Sequence, residues 1–201
     1  MKKSILLYVL LLIPISNVNA QLIKEPRGFL KFGTGYYLDV SRAFDDYQDS
    51  TSGISPEKTV GGKTIWIEGG YKLPNNIIVS AHVMFASLKR EYIDLLYQGQ
   101  KYMVFHQNYA VNFSYEFNSS GNHKFLTGFG LLYNIRSTAQ ADYGVEIIDE
   151  VDDQQLGINL NLDYYYQFEN KFFIGARVNT IYLISIGLEG FVFSPIFGVK
   201  F

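Results

Sequence analysis

No cysteine occurs in the chain. Disulfides, thiolate metal sites and thiol catalysis are thereby excluded. No run of 18 apolar residues occurs either, so no transmembrane helix is expected. Charge is sparse and nearly balanced, with 17 basic against 19 acidic residues, which gives no footing for nucleic-acid binding. Beyond the first twenty residues no helical periodicity of useful length is found. A phosphate-cradling glycine loop is also missing. Gly33-Thr34-Gly35 lies within an extended segment and has no helix after it. What the chain does have is aromatic residues, 16 Tyr and 16 Phe, set in long stretches of period-two alternation.

The first residues have the form of a secretory leader. Met1-Lys2-Lys3 is basic, Ile5 to Ile15 is an apolar run of eleven residues, and Val18-Asn19-Ala20 precedes Gln21. Eleven residues are too few to span a bilayer as a helix, which needs about 20. Residues 1–20 are therefore expected to be a cleaved signal peptide and 21–201 a single domain. Gln21 is not Cys, so no lipid anchor is expected. Loss of Lys2 and Lys3 leaves 15 basic residues against 19 acidic ones, a net charge of −4. An exported chain of this size without disulfides must be stabilised by extensive packing or by a membrane.

Side chains of a strand alternate between its two faces. Eight segments show this alternation: about 28–43, 63–73, 77–87, 101–117, 124–137, 154–168, 172–182 and the C-terminal strand. In the fourth, Met103, Phe105, Tyr109, Val111, Phe113, Tyr115 and Phe117 oppose His106, Asn108, Ala110, Asn112, Ser114 and Glu116. In the last, Phe191, Phe193, Phe197, Val199 and Phe201 oppose Gly190, Ser194, Gly198 and Lys200. Pro195 interrupts the outward face of that strand and cannot donate to a ladder, so a bulge or a missing bond is expected there. Connections at 74–76, 118–123 and 169–171 are short, whereas 44–62, 88–100, 138–153 and 183–189 are mostly longer. Ten residues at about 3.3 Å each, tilted by about 40°, cover roughly 25 Å, the height of a lipid-facing band.

The apolar face carries about forty side chains, many of them Phe or Tyr. The interior of an eight-stranded barrel is only wide enough to be filled by side chains, so this face must turn outward into lipid. The opposite face is small and polar. Gly33, Gly35, Gly70, Gly128, Gly130, Gly157, Gly175 and Gly198 all fall on it, which implies crowding. It also carries Lys31, Lys72, Arg136, Arg177 and Lys200 against Asp39, Glu68, Glu116 and Asp163. Charges taken out of water must be paired and hydrogen-bonded. These nine residues are read as an internal ion-pair network that fills the lumen, with a polar ion path as the alternative.

Of the three histidines, His82 and His106 point inward on neighbouring segments. If residues 77 and 117 are partners, His82 lies opposite Asn112 and His106 opposite position 88, too far apart for the two rings to share a metal. His123 lies in an inner turn beside Lys124 and is read as solvated. Asp142, Glu146, Asp149, Glu150, Asp152 and Asp153 gather in the third outer loop. They are read as a solvated acidic loop, with a divalent-cation site as the alternative. No metal, cofactor or catalytic residue is assigned.

A strand ending on Phe201, with Phe193, Phe197 and Val199 at alternate positions before it, resembles the C-terminal assembly signal of Gram-negative outer-membrane β-barrels. With the alternation over the rest of the mature chain, the sequence resembles the small eight-stranded families that include OmpA-like transmembrane domains, OmpX-like and OmpW-like proteins. The resemblance implies an all-β, antiparallel up-and-down barrel in the outer membrane, among phospholipid and lipopolysaccharide. It also implies the barrel-assembly machinery and an extracellular ligand as partners. No peptidoglycan-binding domain follows, so a two-domain anchoring role is not expected. The functions it implies are a structural or surface-interaction role through outer loops, a narrow channel for small ionic or hydrophobic solutes, or lipid A modification. The deacylase family uses a His and a Ser two residues apart. Here the corresponding positions after the histidines hold Met84, Asn108 and Phe125.

Overall fold

The computed structural model describes residues 27–40, 57–92, 101–118, 121–142, 145–147, 153–168 and 171–201. Among the described residues nine strands occur in chain order: β1 Gly28–Asp39, β2 Glu57–Lys72, β3 Ile77–Tyr92, β4 Lys101–Asn118, β5 His123–Asp142, β6 Val145–Ile147, β7 Asp153–Phe168, β8 Phe172–Leu183 and β9 Gly187–Lys200. Every pairing is antiparallel, and β1 joins β9 as β4 joins β5. The eight long strands thus close on themselves, and closure removes the exposed edges that an open aromatic sheet would present. The short β6 was not foreseen. It folds back on β5, with Gln140 opposite Ile147, inside the stretch read as a loop.

The ladders also run further outward than the alternation suggests. Glu57 pairs with Tyr92, Glu91 with Lys101 and Tyr102 with Gln140. Once two antiparallel strands are in register, backbone bonds continue their ladder past the apolar band with no help from side-chain patterning. The expected loops 44–62, 88–100 and 138–153 are shortened accordingly. The segment 183–189 reduces to a turn at 184–186. At the inner end, Pro74–Asn76 makes a tight turn in which Asn75 and Asn76 take φ of 67° and 63°, a conformation Asn tolerates better than most residues.

Burial follows the expected faces. Ile65, Phe129, Leu131, Leu156 and Leu162 are more than half exposed on the outer surface. Tyr37, Trp66, Met84, Leu88, Val104, Ile181, Leu183 and Ile196 are buried inside with the polar set. The lumen is therefore less uniformly small and polar than expected, because aliphatic and aromatic groups are packed in it at both ends. The glycines mark where this filling is tightest. A methyl at Gly33 would lie 2.6 Å from the Trp66 ring, and one at Gly175 would lie 2.6 Å from the Tyr165 backbone.

Two irregularities bend the ring. β2 and β3 slip by one residue between Thr59 and Gly62, where Gly61 has φ of +59°, a left-handed conformation that suits glycine. β8 and β9 slip between Ile181 and Tyr182, which leaves Glu189 as the extra residue. At Pro195 the pairing of β9 with β1 breaks off between Phe197 and Phe193 and resumes in the same register, Phe32 with Phe197 and Tyr36 with Phe193. Of the two expected outcomes the structure takes the missing bond, because the ladder with β8 runs unbroken through Ala176 and Pro195 and holds the strand in place.

Candidate functional site in the barrel lumen

The deepest polar feature is a closed set of four charges. β1 supplies Lys31, β2 Glu68, β7 Asp163 and β8 Arg177, each buried. Arg177 grips Asp163 with two bonds, Nε to Oδ1 at 2.6 Å and Nη2 to Oδ2 at 2.7 Å. Its Nη1 reaches Glu68 Oε2 at 2.6 Å. Lys31 Nζ bridges the same two carboxylates, at 3.0 Å from Glu68 and 2.8 Å from Asp163. Ser80 donates to Glu68 at 2.8 Å. The Arg177 guanidinium lies 4.4 Å from the centre of the Trp66 ring, and Trp66 donates through Nε1 to Ser194 at 2.9 Å. Two cations and two anions alternate, so the group is neutral. The Lys31–Asp163 and Glu68–Arg177 pairs join strands three places apart in the eight-strand ring, so these bonds reach across the lumen and do not merely line it.

A second cluster lies nearer the inner mouth. Glu116 of β4 accepts from Lys72 at 2.7 Å and from the Tyr165 hydroxyl, and Lys200 lies 3.8 Å away. Lys200 also donates to Gln167 at 2.6 Å. Of the nine charged residues singled out in the sequence, seven therefore gather in these two clusters. Asp39 and Arg136 stand apart towards the outer end, Asp39 opposite Gly190 and Arg136 between His106 and Asp153 in the ladders.

Between the clusters and the outer end runs a belt of buried amides, including Asn112, Asn159, Asn161 and Asn179. His82 meets the edge of Trp66 at 5.6 Å, and His106 stacks on Tyr37 at 5.6 Å. The register corrects the expected histidine neighbours. Ile77 pairs with Tyr115, so His82 faces Ala110 and His106 faces Ala86. The anchor chosen from the sequence was two residues off, because β3 and β4 are joined at their outer ends and nothing at the inner end sets 77 against 117. His123 begins β5 in place of lying in the turn. It is exposed, with Nδ1 2.7 Å from the Tyr164 hydroxyl and its ring against Tyr164 and Tyr166.

Sequence reasoning missed Glu189, which is buried 3.7 Å from His106. The bulge at this point breaks the alternation that would have marked it as inward. It also missed Trp66 and Tyr165 as partners of the charged groups, since a ring on the polar face reads only as filling. Residues 1–20 and the acidic side chains of the third loop other than Asp153 lie outside the described residues. The side chain of Gln155 donates to Asp153. Among the described residues, no group of three His, Asp or Glu is placed to hold a metal ion.

No protein-family model and no curated protein matches the chain. Solved structures do. The barrel is similar to the outer membrane protein OprG of Pseudomonas aeruginosa, with 10% identity, 88% of this chain and 97% of that chain covered, and a TM-score of 0.61. It is similar to Neisserial surface protein A, with 12% identity, coverage of 87% and 97%, and a TM-score of 0.54. It is also similar to Ail, the attachment invasion locus protein of Yersinia pestis, in a structure with the heparin analogue sucrose octasulfate, with 11% identity, coverage of 88% and 97%, and a TM-score of 0.50. The fold is that of the eight-stranded outer-membrane barrels.

Proposed function

We propose that the chain is an integral protein of a Gram-negative outer membrane, exported by residues 1–20, whose role is structural or surface interaction through its outer loops. The ring of Lys31, Glu68, Asp163 and Arg177 carries this reading, because its ion pairs cross the lumen and leave the interior filled. The outward band of Phe, Leu and Ile supports the membrane setting, since exposed apolar area on this scale is stable only against lipid. That a barrel of similar fold is Ail, the attachment invasion locus protein of Yersinia pestis, supports the surface role.

Planar-bilayer recording tests the plug. The protein should show no steady conductance, and Arg177→Ala should show openings. Steady conductance of the unaltered protein would favour the narrow channel instead. The lipid A-modifying alternative is tested by mass spectrometry of lipid A from cells with and without the protein, where identical spectra are expected.

A further inference from the structure

The lipid-facing surface of the strands is almost free of charge. Apart from the His123 ring at the inner end, its charged side chains among the described residues are Lys63 on β2 and Lys89 on β3, both exposed. Lys63 shares its face with Ile65 and Ile67, and Lys89 shares its face with Phe85. No acidic side chain among the described residues lies on that surface. Both lysines stand at one end of the apolar band. Lys63 is ten positions from Leu73, the exposed residue that follows β2 at its inner end. Ten positions of a tilted strand rise by roughly 25 Å, the height of the lipid-facing band. Lys63 therefore lies at the outer boundary of the band, and Lys89 lies just beyond it.

The two lysines are also neighbours. Lys63 faces Ser87 in the ladder, and Lys89 is the next residue of β3 on the same side. Such diagonal neighbours stand about 7–8 Å apart, and their flexible stems let both ammonium groups reach one anion. Tyr36 faces Lys63 from β1. A Cβ at Gly61 would be 2.3 Å from the Tyr36 hydroxyl, so the phenol is turned towards the same boundary. Among the described residues neither Lys63 nor Lys89 has a hydrogen-bond or ion-pair partner. Ile65, Phe85 and Phe105 are exposed beside them. A lysine on a lipid-facing wall is costly at the bilayer midplane and tolerated at its boundary. Tolerance alone does not set two of them side by side on adjacent strands.

We propose that the outer ends of β2 and β3 bind a phosphorylated glycolipid of the outer leaflet, lipid A, with a phosphate held between Lys63 and Lys89. Its acyl chains run along Ile65, Phe85 and Phe105. Ser87 and Tyr36 offer hydroxyl groups to the sugar, which a simple phospholipid lacks. The site goes beyond the loop-borne role proposed above, because both lysines belong to the strand walls.

Native mass spectrometry of the folded barrel in a nonionic detergent tests the site. It would be titrated with bisphosphorylated lipid A, with the same lipid stripped of its phosphates, and with phosphatidylglycerol. Saturable binding of the bisphosphorylated form is expected, at least tenfold tighter than that of either other lipid. Lys63→Gln and Lys89→Gln should each weaken it about fivefold, and the double variant about twentyfold. Lys63→Arg and Lys89→Arg should bind at least as tightly as the unaltered protein, since a guanidinium also pairs with phosphate. Lys171→Gln, in the turn at the inner end, should change nothing. Heat-dependent migration on gels should persist in every variant, so a failure of binding would tell against this site and not against the barrel. Lysines that only anchor the barrel at the membrane boundary would not distinguish lipid A with phosphates from lipid A without them. Equal affinity for the stripped lipid, equal affinity for phosphatidylglycerol, or unweakened binding in the double variant would overturn the proposal.

Discussion

Arg177 is the residue on which the interior depends most. Its fork holds Asp163 in two places and Glu68 in a third, and only Lys31 would remain to balance both carboxylates without it. Removing one partner from a buried ion group leaves uncompensated charge and costs about 3–5 kcal/mol. Arg177→Gln is therefore expected to lower stability by that amount in urea unfolding from lipid vesicles. Arg177→Lys should recover only part of the loss, because an ammonium cannot reproduce the two-point grip. Gly175 poses the opposite problem of too little room. A methyl there would press on the backbone of Tyr164 and Tyr165. Gly175→Ala should cost about 1–3 kcal/mol in the same assay by overpacking.

At the level of the strand, the two faces answer to different solvents. Leu160 on β7 is 52% exposed on the outer surface, while Asn161 beside it is buried in the lumen. Leu160→Arg is expected to cost about 2–4 kcal/mol if it lies near the bilayer midplane. Asn161→Ser should cost less than about 1 kcal/mol, because the Asn161 carbonyl accepts only a long 3.4 Å bond from Asn159 and its amide nitrogen has no partner among the described residues. Equal losses in vesicle unfolding would contradict the face assignment. The Pro195 interruption shows how one strand can be held from a single side. The unbroken ladder with β8 fixes the register that β1 then meets again after the gap.

For the whole barrel the seam between first and last strands is decisive. Gly28 and Phe201 exchange two backbone bonds of 2.9 Å each and end the β1–β9 ladder at the inner rim. Deleting Phe201 removes that pair and the last aromatic of the outward face. Reduced yield of assembled protein in the outer-membrane fraction is the expected result, and a normal yield would count against an assembly role for Phe193, Phe197, Val199 and Phe201. A closed barrel also resists detergent until heated. The unheated protein should therefore migrate differently from the boiled protein on gels, and loss of that difference should accompany Phe201 deletion.

The eight long strands, their order and the face of most of their residues were legible in the chain itself. Alternation is a local property: the backbone turns successive side chains to opposite sides whatever the strand pairs with. The crowding marked by Gly33 and Gly175 was legible for the same reason. Which charges meet was not. Lys31 and Asp163 lie 132 residues apart in sequence, and their contact depends on the stagger of eight strands around a ring, to which every register contributes. An anchor two residues off moved both histidines to wrong neighbours, and a bulge hid Glu189. The separation of nine charges into a neutral crossing set, a cluster around Glu116 near the inner mouth and two outlying residues is a consequence of closure. Only when the sheet joins its own far edge do side chains from opposite strands come within bonding distance.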